Sequence, residues 1–372
     1  MNYLDQLMAE PDAFRTDQAI QDLFFHTMQE LTTYHRSANQ VYDNLCRLHN
    51  FSFDQINSPD ELWKIPHLIV TALKEQVLLS VPQEQIVSHM TSSGTSGQQS
   101  QLFWDAASRD RQALMRQRII ETYGLADPDN EVNYLIFSYD PQTSGEKGAA
   151  HTHQVYASFA PAREKVFAIT QGTDGEPEFQ VEACIDALDR FAESGLPLRV
   201  TGFPSFSYMT LQKLKELGKK YTFPKESLLF SGGGWKLHSG KAVSYEEYVD
   251  LVQEILGIDR SRIRDVYGMV EHGVPYITCE HGAFHVPIYA KVWALDPANS
   301  AVLPKGEVGL LKLISPYITS MPSISVLATD WGAVTSGCPC GREGDILHLH
   351  GRAGIKKYQG CAISAAQLLG HS

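Results

Sequence analysis

The sequence is short of thiols, of uninterrupted apolar runs and of positive charge, and each shortage excludes a class of protein. Six cysteines in 372 residues, at positions 46, 184, 279, 338, 340 and 361, are too sparse for a disulfide framework. They read as reduced thiols or metal ligands of a cytosolic protein. The longest charge-free apolar runs, such as HLIVTAL (67–73), are too short to cross a bilayer, so no membrane span is expected. The N-terminus, MNYLDQLMAEPDAF, has no basic region followed by an apolar stretch. No signal peptide is read there, and a cytoplasmic location is expected. Lysine and arginine number 31 against 43 aspartates and glutamates, a formal charge of −12. Without a basic stripe to neutralise phosphates, a general nucleic-acid binder is excluded.

What remains is an ordinary globular composition, 43% hydrophobic and 20% charged, in a chain long enough to bury a substantial core. Residues 1 to about 85 read as helical. Leu23, Phe24, Met28 and Leu31 fall at helical spacing, and SPDELWKIP (58–66) offers a helix start with Ser58 as N-cap and Glu61 three later. From about 86, short apolar runs alternate with glycine-rich turns and helical stretches: VNYLIFS (132–138), KVFAIT (165–170), LPLRVTGFP (196–204) and SLLFSGGG (227–234). That interleaving predicts an α/β fold of layered sheets and helices. Beyond about 285 the pattern becomes strand-rich, as in HVPIYAKVWAL, GEVGLLKLIS and ISVLATD. The expected organisation is a helical N-terminal segment (1–85), an α/β domain (86–345) and a short C-terminal tail (346–372).

MTSSGTSGQQS (90–100) packs hydroxyls and glycines between a strand and a helical stretch that starts near Asp105. Gly94 and Gly97 let the backbone turn tightly, so that several N–H groups converge on one anion, and Ser92, Ser93, Thr95 and Ser96 add donors. Alone, such a cluster describes a flexible loop equally well. Three later segments bear on it. SLLFSGGGWK (227–236) opens a strand onto Gly232, Gly233 and Gly234, where a planar ring can approach bare backbone. RDVYGMVEHG (264–273) sets Glu271 after an aromatic-glycine turn, Tyr267-Gly268. SVLATDWGAV (325–334) ends a strand on Asp330, an acceptor suited to a pair of ribose hydroxyls. Singly, these read as a tight turn, a surface carboxylate and a strand-end cap.

In this order and spacing the segments resemble the adenylate-forming superfamily of acyl-CoA synthetases, firefly-type luciferases and peptide-synthetase adenylation domains. Its phosphate loop matches 91–100, its YGxTE-type segment 267–271, its TGD-type segment Thr329-Asp330, and its GR-x-K hinge Gly351, Arg352 and Lys356. The resemblance implies that Ser92, Ser93, Gly94, Thr95, Ser96 and Gly97 hold the β- and γ-phosphates of ATP. It implies further that Glu271 helps hold Mg²⁺, that Asp330 fixes the ribose with Arg352 near the same end, and that the three glycines with Trp235 form the adenine and acyl side of the cleft. The implied first reaction joins a carboxylate to ATP, giving acyl-AMP and pyrophosphate.

The chain departs from that pattern in several places. Ser100 stands where many relatives end the loop with lysine, Val270 replaces the threonine of YGxTE, and the hinge has Gly354 and one fewer residue. The usual C-terminal lid domain, with its catalytic lysine, is expected to be lacking. FSGGGWK, DVYGMVEHGVPY and GRAGIKKYQGCAISAAQLL are similar to the acyl-protein synthetase of the bacterial bioluminescence fatty-acid reductase complex. That likeness implies a long-chain fatty acid as substrate, acyl transfer to a cysteine near the C-terminus, and a multi-enzyme complex. In it an acyl reductase, with an acyl-transferase or thioesterase subunit as a further candidate, would be the partner. Cys361 is the matching residue. Its surroundings suit a thiolate nucleophile, with Lys356 and Lys357 nearby and a helical segment that Ser364 can cap. The alternatives are a small apolar residue packing a last helix, an acid:thiol ligase for an aromatic or short-chain acid using CoA or a carrier protein, and a weakly active scaffold subunit.

Cys338 and Cys340 form a Cys-x-Cys turn in TSGCPCGR (335–342), and TCEHGAFH (278–285) offers Cys279 with His281 and His285. Cys279, His285, Cys338 and Cys340 are a candidate structural Zn²⁺ site, with His285 preferred over His281; uncoordinated thiols and surface histidines are the other reading. Cys46 and Cys184 fall in helical patterns and read as core. His151 and His153 read as a surface or loop pair, with a metal pair or a polar group of the acyl site as the alternatives, and Ser205 in TGFPSFS does not make a nucleophile elbow.

Overall fold

The computed structural model describes residues 2–91, 99–141, 153–172, 175–233 and 243–352. It opens on α1 (Tyr3–Ala9), α2 (Gln18–Ala38) and α3 (Gln40–Leu48). In α2, Ile20, Phe24, Met28 and Leu31 are buried at three- and four-residue spacing, and the Asp17 carboxylate caps the helix by accepting from the Ile20 N–H at 3.3 Å. The stretch after Ser58 is a 3₁₀ helix (Pro59–Lys64), and Ser58 makes no side-chain cap. Glu61 turns instead to the Asn57 N–H (2.8 Å) and Lys64 (2.6 Å). Nor is the first segment wholly helical. Strand β1 (Leu68–Ile69) precedes α4 (Ala72–Glu75) and joins a sheet.

The following elements are β2 (Ile86–Thr91), β3 (Gln101–Asp105), α5 (Ala106–Thr122), β4 (Val132–Tyr139), β5 (Ala162–Gln171), β6 (Pro177–Phe179) and α6 (Val181–Ser194). Then come β7 (Leu198–Gly202), α7 (Pro204–Glu216), β8 (Leu228–Gly232), α8 (Tyr245–Leu256), β9 (Ile263–Tyr267) and β10 (Tyr276–Ile277). The strand-rich end contains β11 (Phe284–His285), β12 (Lys291–Leu295), β13 (Gly309–Ile314), β14 (Ser325–Ser336) and β15 (Asp345–Arg352).

Two large sheets organise the chain. One runs β10-β9-β8-β7-β4-β5-β6, with β9 to β5 parallel and an antiparallel strand at each edge. Every residue of β4 is buried, as expected of a parallel strand covered on both faces. Its alternation divides two cores. Leu135, Phe137 and Tyr139 pack with α6, α7 and α8, while Val132, Tyr134 and Ile136 pack with Ala157 and Ala160. At the carboxyl end of β7 the backbone passes close to β4. Gly202 has φ 130°, and a Cβ there would lie 2.3 Å from the Phe137 carbonyl oxygen, so no other residue fits.

The second sheet runs β11-β15-β14-β13-β12, with β1 parallel to β14. Residues 346–352, assigned from sequence to the tail, are the body of β15 and pair antiparallel with β14. Ile346 and Leu347 are buried, and that inward apolar pair holds the strand in the sheet. One hydrophobic cluster extends from Leu4 in α1 through Met115 in α5 to Leu347 in β15, so the N-terminal helices share a core with the strand-rich end.

Candidate functional site

The carboxyl ends of β7, β8 and β9 carry Gly202, Gly232 and Tyr267, and the crevice beyond such ends is where open parallel sheets bind ligands. Gly232 lies opposite Val266, and Gly233 turns away at φ 87° against the Phe203 ring. Tyr267 reaches across to the second sheet, where its hydroxyl donates to Asp330 Oδ2 at 2.8 Å. Asp330 is 8% exposed and pairs across the ladder with Arg352. Thus residues 63 apart in sequence meet where the two sheets adjoin.

Glu271 is 5% exposed, and among the described residues no hydrogen bond reaches its carboxylate. A carboxyl group is an oxygen donor of the kind a hard divalent cation takes. The loop carrying it is tightly held. Ser323 Oγ donates to the Glu271 carbonyl at 2.9 Å, and Gln112 Nε2 of α5 donates to the Gly273 carbonyl at 3.1 Å. Gly273 has φ 74°, and a Cβ on it would meet Tyr317 Oη at 1.9 Å. That hydroxyl accepts from Trp104 Nε1 at 3.3 Å. The packing fixes the path from Gly268 to Gly273 before any ligand arrives.

The hydroxyl-rich stretch Ser92, Ser93, Gly94, Thr95, Ser96 and Gly97 lies outside the described residues, but its flanks do not. Thr91 of β2 pairs with Gln101 of β3, and β3 runs into α5, where Asp105 caps the helix through the Ser108 N–H at 2.7 Å. Gly234, Trp235, Lys356, Cys361 and Ser364 also lie outside the described residues.

A second constellation sits where β10, β11 and the β14–β15 turn converge. The ligand atoms of Cys279, His285, Cys338 and Cys340 all lie within 4.8 Å of one another. Cys279 Sγ and Cys338 Sγ are 3.7 Å apart, and Cys340 Sγ is 3.2 Å from His285 Nε2. A tetrahedron with Zn–S bonds of about 2.3 Å has sulfur–sulfur edges of about 3.8 Å, so the donor set fits zinc in type and spacing. His285 points inward from β11 opposite Ile346, whereas His281 lies in the β10–β11 turn, where its backbone N–H donates to Cys279 Sγ at 3.4 Å. β10 belongs to one sheet and β11 to the other, so the quartet lies where both meet.

A family model described as "Acyl-protein synthetase, LuxE" matches residues 3–370. The chain belongs to that family. Two relatives named long-chain-fatty-acid–luciferin-component ligase are similar throughout. The one from Vibrio harveyi is 24% identical over 338 residues, covering 90% of this chain and 85% of its own. The one from Aliivibrio fischeri is 24% identical over 346 residues, covering 92% and 87%. The fold is that of 2-hydroxyisobutyryl-CoA ligase, solved with 2-HIB-AMP and CoA, at a TM-score of 0.69 and 18% identity over 92% of this chain and 70% of that one. The chain is thus an acyl-protein synthetase family member with the fold of that ligase.

Several polar groups around the cleft escaped the sequence reading. Asp265, two residues before Tyr267, accepts from its neighbour's N–H at 2.9 Å, and burial pushes its carboxyl up to about 7. His272 follows Glu271 fully buried, with Nε2 2.9 Å from Tyr276 Oη. His153 corrects the surface reading. It is 5% exposed, with Nδ1 2.9 Å from Ser138 Oγ and its ring edge-on to Phe203, the ring that touches Gly233. The sequence signal available was its place beside apolar Val155 and Tyr156; His151 lies outside the described residues. Cys46 and Cys184 are buried in α3 and α6, where burial pushes the thiols up to about 11 and about 12. Both are inert core residues. Among the described residues no helix is long and apolar enough to cross a membrane.

Proposed function

We propose that this protein activates a long-chain fatty acid with ATP and transfers the acyl group to its own Cys361 for delivery to a partner acyl reductase in the cytoplasm. The fatty acid oxygen attacks the α-phosphorus of ATP and pyrophosphate leaves, giving acyl-AMP. The Cys361 thiolate then attacks the acyl carbon, AMP departs, and a thioester results. Glu271 is the residue we assign to hold Mg²⁺, which supplies charge shielding on the phosphates. Asp330 would accept the ribose hydroxyls, with Tyr267 orienting its carboxylate, while Gly232 and Gly233 leave room for the base. Ser92, Ser93, Gly94, Thr95, Ser96 and Gly97 would donate to the β- and γ-phosphates, and Gly234 and Arg352 complete the proposed nucleotide side.

The observation that carries this reading is the Tyr267–Asp330 hydrogen bond, in a chain of the acyl-protein synthetase family. The names of the Vibrio and Aliivibrio relatives support the fatty acid as substrate. Cys279, His285, Cys338 and Cys340 we assign to a structural Zn²⁺ that braces the two sheets next to the cleft. The test of function is incubation with ATP, Mg²⁺ and radiolabelled fatty acid, then a denaturing gel with and without hydroxylamine. A labelled band that hydroxylamine removes is expected. Cys361→Ser should lose the label yet keep acid-dependent pyrophosphate exchange; loss of both would refute the division into two steps.

A further inference from the structure

The three strands that deliver Gly202, Gly232 and Tyr267 to the cleft carry a different set of charges at their amino ends. There a cavity of about 240 Å³ is lined by Arg199, Arg262, Lys225, Asp127 and Glu226. Its size falls below the roughly 300–1,000 Å³ of pockets for drug-sized ligands, which limits it to a small occupant. Arg199, one residue into β7, is only 2% exposed. Its Nη1 donates to the Leu125 carbonyl at 2.7 Å, and its Nε has no hydrogen-bond partner. Arg262, just before β9, donates from Nε to the Ser227 carbonyl at 3.3 Å and from Nη2 to the Glu226 carbonyl at 2.9 Å.

Both guanidinium groups therefore spend their donors on neutral carbonyls, and among the described residues neither forms an ion pair with a carboxylate. Two carboxylates share the cavity with them. Asp127 accepts from the Asn130 N–H at 3.3 Å and its side-chain amide at 2.8 Å, and Glu226 lies 3.9 Å from Lys225. Burial holds Arg199 below its ordinary value, with Tyr134 and Asp127 opposing that shift and the charge of Arg262 adding to it. Three cations against two carboxylates leave one positive charge unbalanced in a partly desolvated cavity, beside an unused buried donor, and an anion from outside the fold would balance it. The fork of a guanidinium matches a tetrahedral oxyanion, and a flexible lysine at the rim adds a third donor.

We propose that this cavity binds a phosphate-type oxyanion, with Arg199 at its floor, Arg262 on its wall and Lys225 at its mouth. The site stands apart from the cleft and does not depend on the activity assigned there. The probe is inorganic phosphate, titrated calorimetrically into the full chain at constant ionic strength without ATP or Mg²⁺, with the phosphate-dependent rise in Tm as a second readout. Saturable binding is expected. Arg262→Gln should weaken it about tenfold or more, the loss of a charged hydrogen bond, and the exposed Lys225→Gln should weaken it several-fold without touching the fold. Asp330→Asn, in the cleft, should leave it unchanged. Absence of saturable binding by the natural chain overturns the proposal. So does undiminished binding by both Arg262→Gln and Lys225→Gln, or loss of binding in Asp330→Asn, which would locate the phosphate in the cleft.

Discussion

Asp330 is the residue whose replacement most directly probes the proposed nucleotide cleft. Its carboxylate is nearly buried and takes the Tyr267 hydroxyl at 2.8 Å, and the ribose hydroxyls are assigned to it. Asp330→Asn keeps the shape, removes the charge and converts one acceptor into a donor. Hydrogen bonds to a charged acceptor contribute about 1.5–3 kcal/mol each, so losing one raises the apparent KM for ATP by about 10- to 150-fold. Tyr267→Phe removes the donor that orients this carboxylate, acts on ATP only through it, and should raise KM less than Asp330→Asn does, about two- to tenfold. Because both act through one carboxylate, the double variant should fall short of the sum of the two effects. The assay is acid-dependent pyrophosphate exchange against ATP concentration, with circular dichroism to confirm folding. A folded Asp330→Asn whose KM for ATP matches the natural chain would refute the assignment of the ribose to this carboxylate.

Three other outcomes follow from named contacts. His35, His153 and His272 are fully buried, and burial lowers them to about 4, about 4 and about 3. The unfolded chain then binds more protons than the folded one below pH ~6.5, so stability present above that pH is lost as pH falls toward 4. Each contributes on the order of 3 kcal/mol to that loss, and urea melts across pH 7 to 4.5 should show the decline; a flat profile would refute it. Cys338→Ser should reduce bound zinc from about one equivalent to less than half by metal analysis and lower Tm, whereas His281→Ala should do neither. Gly273→Ala forces a Cβ onto the Tyr317 hydroxyl at a positive φ and should cost roughly 2–4 kcal/mol in urea unfolding; a cost within experimental error would mean the loop is free to shift.

The sequence made the parallel sheet legible because its strands are continuous apolar runs, and VNYLIFS and SLLFSG became β4 and β8 for that reason. The Cys/His cluster was legible because a Cys-x-Cys turn and a second Cys/His segment stand in the sequence, and β11 places His285 rather than His281 in it. The meeting of Tyr267 and Asp330 was not a matter of spacing. Only motif resemblance linked them, since their contact depends on how two sheets adjoin. Other misses had local causes: β1 is two residues long, too short for any periodicity, and β15 hides its alternation behind histidines at 348 and 350.

Lys312 shows why such cases lie beyond pattern reading. In GEVGLLKLIS a strand lysine is expected to face water, yet the register of β13 sends it inward to 2% exposure. Its Nζ donates to the carbonyls of Trp63 (2.6 Å) and Ile65 (2.5 Å), acceptors freed where the 3₁₀ helix stops. Burial pulls the amine down to about 7. A cation is tolerable there only because a segment some 250 residues earlier turns two backbone oxygens toward it. The same logic makes Arg199 conspicuous: its single carbonyl leaves a buried donor that no part of the described chain satisfies.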